Sequence, residues 1–412
     1  MRYDVAIIGG GPAGMMAAGR AGELGASVVL LEKNDRLGIK LLITGHGRCN
    51  ITNNTESARE MALMFGKNGR FLLSVFTRFG VKDVIGFFEG RSVKTKIEKG
   101  NRVITESDRA QDVLDALIGY MNGSSVDIRL GAEVGKIVRS EAGIEKVVLA
   151  DGEEIEAERF IICTGGKSYP ATGSTGDGYG WAKTLGHTVV RPVPALSPVL
   201  VKDAFVKELE GLSLRDAPVS VWKDGRKSAS GAGDVLFTAK GLSGPFIFNM
   251  SKGIAKELPG DVVLKIDLVP DLDFTALDNR MLKYFQEGPN KLIKNLLDQF
   301  LPQKLIPVIV TIAGVDPAKK GNFITKEERK RLVHLMKGFS LHVAGLVGFD
   351  KAVVTAGGIE LSEVEPKTMR SKLIENLYFA GEILDLDGPT GGYNLQVCWS
   401  TGYLAGESAG SK

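Results

Sequence analysis

Three glycines at a fixed spacing and one acid carry the first chemical signal. Gly9, Gly11 and Gly14 form G-x-G-x-x-G within Gly9-Gly10-Gly11-Pro12-Ala13-Gly14, and Glu32 follows about twenty residues on. Residues of these types at this spacing bind a dinucleotide. Gly9 makes a tight turn, Gly11 lets the backbone approach a pyrophosphate, and Gly14 lets a helix lie close to its strand. The first-turn N–H groups, with Pro12 and Ala13 in that turn, receive the phosphates at the positive end of the helix dipole. Glu32 would accept hydrogen bonds from the adenosine ribose. An acid there favours a free 2′-hydroxyl, so FAD or NAD rather than NADP.

Four further clusters place reactive or polar side chains beside glycine. Gly45-His46-Gly47-Arg48-Cys49-Asn50 sets flexible backbone next to a cation, a thiol and an amide, and such a loop could wrap a cofactor. Thr164-Gly165-Gly166 ends one apolar run and Gly381-Glu382 ends another; Glu382 suits a ribityl hydroxyl. Gly391-Gly392-Tyr393-Asn394 opens a small-residue helix. That helix N-terminus would favour negative charge on a reduced flavin. Val134, at the start of a strand, could offer backbone groups to adenine. No Ser/His/Asp set and no paired carboxylates are visible, so the candidates for proton transfer are His46, Cys49 and Tyr393. Cys49 reads rather as a buried structural residue, and His46 can equally be an inert variant.

The elements that must carry these groups follow from apolar patterning. Tyr3 to Ile8 is a β-prone run, a small-residue helix extends to about Leu24, and Ser27 to Leu31 reads as a second buried strand. Residues 56 to 90 look helical, Thr95 to Ile104 reads as a hairpin, and Asp108 with Gln111 resembles a capping box. Strands follow at 126–130, 133–139, 144–149 and 155–163, and a helix begins near Gly178. Arg191-Pro192-Val193-Pro194 suits a linker. Short strand-like runs then fill 195–269, and Thr275 to Phe300 and Lys326 to Lys337 are helical. From Lys351 the chain returns to strand–glycine–helix style. The expected organisation is an α/β Rossmann-like domain over 1–192 and 351–412, interrupted by an insert over 193–350. The insert divides into a β-barrel (195–269 and 340–350) and a helical part (270–339).

Bulk properties bound the function. Net charge is only +3, with 43% apolar and 25% charged residues, so no strong global field toward nucleic acid or membrane is implied. Three scattered cysteines and four histidines show neither disulfide nor zinc spacing. No signal peptide precedes the first strand and no apolar run approaches about 18 residues. A soluble cytoplasmic protein without metal is the expectation.

These motifs together resemble the bacterial BaiN-like, aminoacetone-oxidase-like FAD-dependent oxidoreductases. The stretches that carry the likeness are GGGPAGMMAA, LEKNDRLGIKLLITGHGRCNITNN, ICTGGKSYPATGSTGDGYGWAKTLGH and LYFAGEILDLDGPTGGYNLQ. More distantly, the GDG loop and the GE segment are similar to fumarate-reductase and ketosteroid-dehydrogenase flavoproteins. The resemblance implies a glutathione-reductase-type FAD domain split by an insert, with FAD held tightly and non-covalently. It assigns Gly9, Gly11 and Gly14 to the pyrophosphate, Glu32 and Lys33 to the ribose, Val134 to adenine, and Thr164 to Gly166 along the dinucleotide. Lys40 joins the cofactor-binding set, Gly47 and Arg48 to Asn50 lie near the flavin, Gly381 and Glu382 take the ribityl chain, and Gly392 to Asn394 the pyrimidine edge. One departure stands out: family members usually carry glycine where this chain has His46.

The function expected from this reading is flavin-mediated electron transfer to or from a small organic substrate, foremost reduction of an enone-like double bond with NAD(P)H as a transient reductant. An amine oxidase using oxygen is a rival. A flavin-dependent RNA-modifying protein is another, and would use the basic cluster Lys319-Lys320, Lys326 and Arg329-Lys330-Arg331.

Overall fold

The computed structural model describes residues 2–411; Met1 and Lys412, the outer ends of the expected cofactor domain, lie outside them. The chain divides into two compact units, Met1–Ala195 with Phe349–Lys412, and Leu196–Gly348.

The first unit opens with β1 (Arg2–Ile8), α1 (Pro12–Glu23) and β2 (Val28–Glu32). β1 has apolar residues in succession rather than alternation because it is covered on both faces: Val5, Ala6 and Ile7 are fully buried. Beyond a run of short helices between Ile39 and Glu89 and a small sheet of Thr52–Asn53, Thr95–Glu98 and Arg102–Thr105 come α2 (Ala110–Gly123), β3 (Asp127–Leu130), β4 (Val134–Ser140), β5 (Gly143–Leu149) and β6 (Glu154–Ile162). They are followed by α3 (Asp177–Thr184), β7 (Val189–Ala195), β8 (Val354–Ile359), β9 (Leu377–Phe379) and α4 (Tyr393–Gly410). The main sheet runs β3-β2-β1-β6-β5-β4, and β9 pairs parallel to β6. β3, β2, β1, β6 and β9 are parallel, while β5 and β4 form an antiparallel extension.

Register decides where the site lies. Ile8 pairs with Leu31 and with Ile162, and Ile162 pairs with Phe379. Four strands therefore end level with one another, and the turns after them leave the sheet at one edge. In open parallel sheets ligands bind at this carboxyl end.

α1 and α4, from opposite ends of the sequence, touch along a small-residue seam. A Cβ added to Gly402 would lie 2.4 Å from the Ala13 carbonyl oxygen, one on Gly406 2.3 Å from that of Ala17, and one on Gly410 2.7 Å from Ala21 Cα. Glycine at every fourth position of α4 lets the two backbones meet.

The second unit contains a closed six-stranded barrel. Its antiparallel order is Val199–Val201, Gly241–Ser243, Arg226–Thr238, Ser213–Lys223, Val262–Ile266 and Phe339–Leu346. Lys326–Lys337 is a helix opened by a Thr325–Glu328 capping box. The expected single helix over 275–300 is instead two, Phe274–Glu287 and Ile293–Leu297, because Gly288-Pro289 breaks it. A helix at Pro245–Glu257, within the stretch read as strands, is an addition. In the first unit the Asp108–Gln111 capping box does not form: the N-cap of α2 is Arg109, without a side-chain cap, and Asp108 pairs with Lys96.

Candidate functional site

The glycine turn after β1 shows three different spatial constraints. Gly9 has φ +108°, and a Cβ there would sit 2.6 Å from the Cys163 carbonyl oxygen. A Cβ on Gly14 would lie 1.9 Å from the Gly9 oxygen, so only glycine lets α1 start this close to the strand. A Cβ on Gly11 would meet nothing within 4 Å. Gly11 thus faces open space at the N-cap of α1, where no side chain caps the helix and Pro12 holds the first position. Free first-turn N–H groups beside open space form a cradle for an anion.

Glu32, buried at the end of β2, takes hydrogen bonds from Gly10 N (2.7 Å, to Oε2) and from Asn34 N and Nδ2 (2.9 and 2.6 Å, to Oε1). Oε2 keeps acceptor capacity for a hydroxyl. Lys33 does not point to the same place: its ammonium donates to Thr175 Oγ1 (2.6 Å) and Asp177 Oδ2 (2.7 Å). It ties down the loop before α3. Val134 begins β4 just after Ala132, whose N–H donates to the Glu32 carbonyl.

The turns after β6 and β9 complete this edge. A Cβ on Gly166 would lie 2.3 Å from Thr355 Oγ1 and 3.1 Å from Glu382 Oε1, and one on Gly381 2.8 Å from Ala13 Cβ. Gly165 has φ +70°. Thr164 Oγ1 is buried with no hydrogen-bond partner among the described residues. Glu382 takes Lys40 Nζ on Oε2 (2.8 Å) and Thr355 N on Oε1 (2.7 Å). The two carboxylate oxygens are fixed by one cation and one backbone donor.

The loop from Thr44 is a left-handed turn: Gly45, His46, Gly47 and Cys49 have φ of +57°, +59°, +84° and +58°. Arg48 pairs with Glu98 (2.6 Å) and Asp108 (3.0 Å), so its charge clamps the loop to the 95–105 hairpin and to Asp108 just beyond it. Beyond Asn50, Asn53 Nδ2 donates to the Gly391 carbonyl (3.1 Å), and a Cβ on Gly392 would meet the Thr52 oxygen at 2.2 Å. Gly391 and Gly392, at φ +110° and +104°, turn the chain into α4. The Asn394 side chain is spent on its own loop: it accepts from Gly388 N (2.8 Å) and donates to the Gly388 and Pro389 carbonyls (3.0 and 3.1 Å).

The three proton-transfer candidates separate clearly. Cys49 is fully buried, and burial pushes its thiol up to about 12, which disfavours a thiolate there. Tyr393 is buried at the start of α4, and burial raises its phenol. His46 is exposed. Residues that patterning missed are Asn34, Asp177, Asn53 and Thr355. Thr355 Oγ1 lies within hydrogen-bond distance of Lys167 N, Ser168 N and Ser168 Oγ. Asn34, two residues past the strand-end acid, had a local signal; Thr355 had none. An open cavity of about 1090 Å³ lies elsewhere, at the carboxyl end of α1 around Gly22, Glu23 and Tyr120.

Comparison with known proteins agrees with this fold. Residues 3–408 match the family described as "HI0933-like protein Rossmann domain". The chain is 33% identical to a "3-dehydro-bile acid delta(4,6)-reductase" of Clostridium scindens over 99% of both chains. It is 29% identical to a "Ribosomal RNA dihydrouridine synthase" of Escherichia coli over 98% of both. The fold resembles a 3-ketosteroid-delta4-(5alpha)-dehydrogenase from Rhodococcus jostii RHA1, with TM-score 0.56 at 15% identity over 100% of this chain and 97% of that one. The chain belongs to the HI0933-like Rossmann-domain family, and with it to the FAD-dependent oxidoreductases.

Proposed function

We propose that this protein reduces a carbon–carbon double bond conjugated to a carbonyl, with NAD(P)H as the transient reductant. One observation carries the reading. Two full-length relatives whose named substrates differ widely, a 3-dehydro bile acid and a uridine in RNA, have names that describe the same bond change. A Δ4,6 bond conjugated to a 3-oxo group and the C5–C6 bond of uracil are both activated by a carbonyl.

FAD fits the residues present. Gly11 and the uncapped α1 N-terminus would hold the pyrophosphate and Glu32 Oε2 the ribose, while the orphaned Thr164 Oγ1 awaits a partner. When bound, the flavin supplies the hydride for the β-carbon of the substrate. The chain supplies position and electrostatics. The N-terminus of α4 favours negative charge beside it, and the Lys40–Glu382 pair fixes the turn after β9.

The test is anaerobic mixing of the yellow protein with NADH or NADPH, followed by an enone. Bleaching of the flavin band and its return on enone addition are expected. Intact FAD that neither nicotinamide bleaches would overturn the reductase reading and favour an amine oxidase; a colourless protein that refuses FAD would overturn both.

The E. coli relative's name favours RNA as a second substrate class. The basic cluster does not add to it. Lys319 bonds both Glu328 oxygens (2.8 and 2.9 Å), Arg329 pairs with Asp278 (2.7 Å), and Arg331 donates to the Ala313 carbonyl (2.8 Å). We therefore read the substrate as a small molecule. Salt-sensitive RNA binding that falls on neutralising Lys320, Lys326 and Lys330 would reverse that preference.

A further inference from the structure

We infer that Thr355 is the positioning residue of the proposed cofactor edge: from one buried point it sets both the turn after β6 and the Glu382 carboxylate, and so governs how firmly FAD is held. The inference deepens the FAD reading and rests on it.

The argument starts from a hydroxyl where packing asks for none. Every residue of β8 is buried, and Thr355 is 0% exposed. Valine has nearly the same shape and suits a buried strand without a polar group to satisfy. A hydroxyl in such a place is a cost unless it finds partners. Thr355 is saturated with them. Its Oγ1 lies 2.8 Å from Lys167 N, 3.2 Å from Ser168 N and 2.9 Å from Ser168 Oγ. The two amides donate to its two lone pairs, so its own proton goes to Ser168 Oγ, which is equally buried. Successive N–H groups turned toward one oxygen bend the backbone around it. The segment 166–168 takes its course from the Thr355 side chain.

The backbone of the same residue serves the other turn. Thr355 N donates to Glu382 Oε1 (2.7 Å), while Lys40 Nζ holds Oε2 (2.8 Å). The carboxylate is thereby fixed at both oxygens, one of them by Thr355. Gly166 closes the triangle: a Cβ there would lie 2.3 Å from Thr355 Oγ1 and 3.1 Å from Glu382 Oε1. The turn after β6, Thr355 and Glu382 thus meet at one point of the carboxyl edge. Thr355 is enclosed behind that point, so it reaches no ligand itself and acts through the two turns.

Valine at this position would leave two amides and the Ser168 hydroxyl without their partner. The turn would then swing out to bond with water, away from the shape that receives the dinucleotide.

The test compares Thr355→Val with Thr355→Ser, and uses Ser371→Ala as control. Ser371 Oγ likewise accepts from two amides, Leu373 N and Ile374 N (both 3.0 Å), and is 3% exposed. Its own N–H donates to the Leu377 carbonyl at the start of β9, away from the carboxyl edge. Urea unfolding of the apoprotein should show lower stability for both Thr355→Val and Ser371→Ala. The FAD dissociation constant should rise by about 10-fold or more in Thr355→Val alone, and stay within about 2-fold of wild type in Thr355→Ser and Ser371→Ala. The visible circular dichroism of bound FAD should change in Thr355→Val and in neither of the others. Lower stability with unchanged FAD affinity and dichroism would make the hydroxyl structural only and overturn the inference. So would an equal loss of FAD affinity in Ser371→Ala, which would trace the effect to general loosening. If Thr355→Val does not fold, Thr355→Cys, whose thiol hydrogen-bonds weakly, takes its place, and wild-type FAD affinity in that variant overturns the inference. Wild-type protein that refuses FAD would sink the cofactor reading and this inference with it; wild-type protein that binds FAD no better than Thr355→Val sinks this inference alone.

Discussion

Replacing Gly406 of α4 by alanine tests the contact that joins the two ends of the chain. In an isolated helix this change stabilises by about 1 kcal/mol. Here the added Cβ would lie 2.3 Å from the Ala17 oxygen and 2.8 Å from Ala17 Cα. Real Cβ contacts do not fall below 3.0 Å, and both atoms are backbone, so no side chain can rotate away. α1 and α4 must separate, and the seams at Gly402–Ala13 and Gly410–Ala21 must open with them. Overpacking of a close interface costs about 1–3 kcal/mol, and loosening three layers puts this case toward the upper end. The net expectation is a loss of about 1–2 kcal/mol despite the gain in propensity. Gly86→Ala is the control: Gly86 lies in the helix Val81–Glu89, is exposed, and an added Cβ meets nothing within 4 Å. That variant should gain up to about 1 kcal/mol. Urea unfolding of the apoprotein measures both. FAD titration should also show weaker binding for Gly406→Ala only, because the N-termini of α1 and α4 both line the proposed cofactor site. If Gly406→Ala matches the wild type in stability and FAD affinity, the seam is not the close backbone contact described, and the coupling between the two ends fails with it.

Thr164→Val removes a buried hydroxyl that has no hydrogen-bond partner among the described residues while keeping its shape. Apoprotein stability should be unchanged or slightly higher, and the FAD dissociation constant should rise by about 2–10-fold; equal FAD affinity would show that the hydroxyl does not serve the cofactor. His187 gives a pH prediction. It is 4% exposed with Nε2 2.8 Å from Ser371 Oγ. Ser371 Oγ already accepts from Leu373 N and Ile374 N, so its hydroxyl donates to a neutral imidazole. Burial lowers the His187 pKa from its usual 6.5, opposed by Glu363 and reinforced by Arg139. The unfolded chain then binds the proton more readily, so His187 leaves stability flat above about pH 7 and lowers it as pH falls from 6.5 toward the depressed value. Denaturation midpoints from pH 7.5 to 5 should drop less steeply in His187→Gln, and parallel curves would refute the assignment.

Local chemistry in the sequence was enough for some elements and not for others. Val28–Glu32 and Lys326–Lys337 carry unbroken apolar runs or a capping box, and both stand where patterning put them. Arg226–Thr238 is rich in serine, alanine and glycine, without alternation, and gave no strand signal; cross-strand pairing with Ser213–Lys223 makes it a strand. Asp108 read as a helix cap because spacing registers only neighbours in sequence, whereas its carboxylate answers to Lys96 and Arg48.

Glycine spacing and a strand-end acid are enough to announce a nucleotide fold, since the backbone shape they permit is local and no other residue type offers it. Which polar groups stay available to a ligand is a different kind of fact. Lys33, Arg48 and Glu382 all look free in the linear text, yet each finds an opposite charge that only the folded chain brings near: Asp177, Glu98 and Lys40. The left-handed backbone at His46 is equally invisible in one dimension, because a residue's φ is set by the turn that closes around it. Ion pairing and backbone conformation depend on distance in space, and that distance exists only once the sheet, the seam of α1 with α4 and the loops have come together.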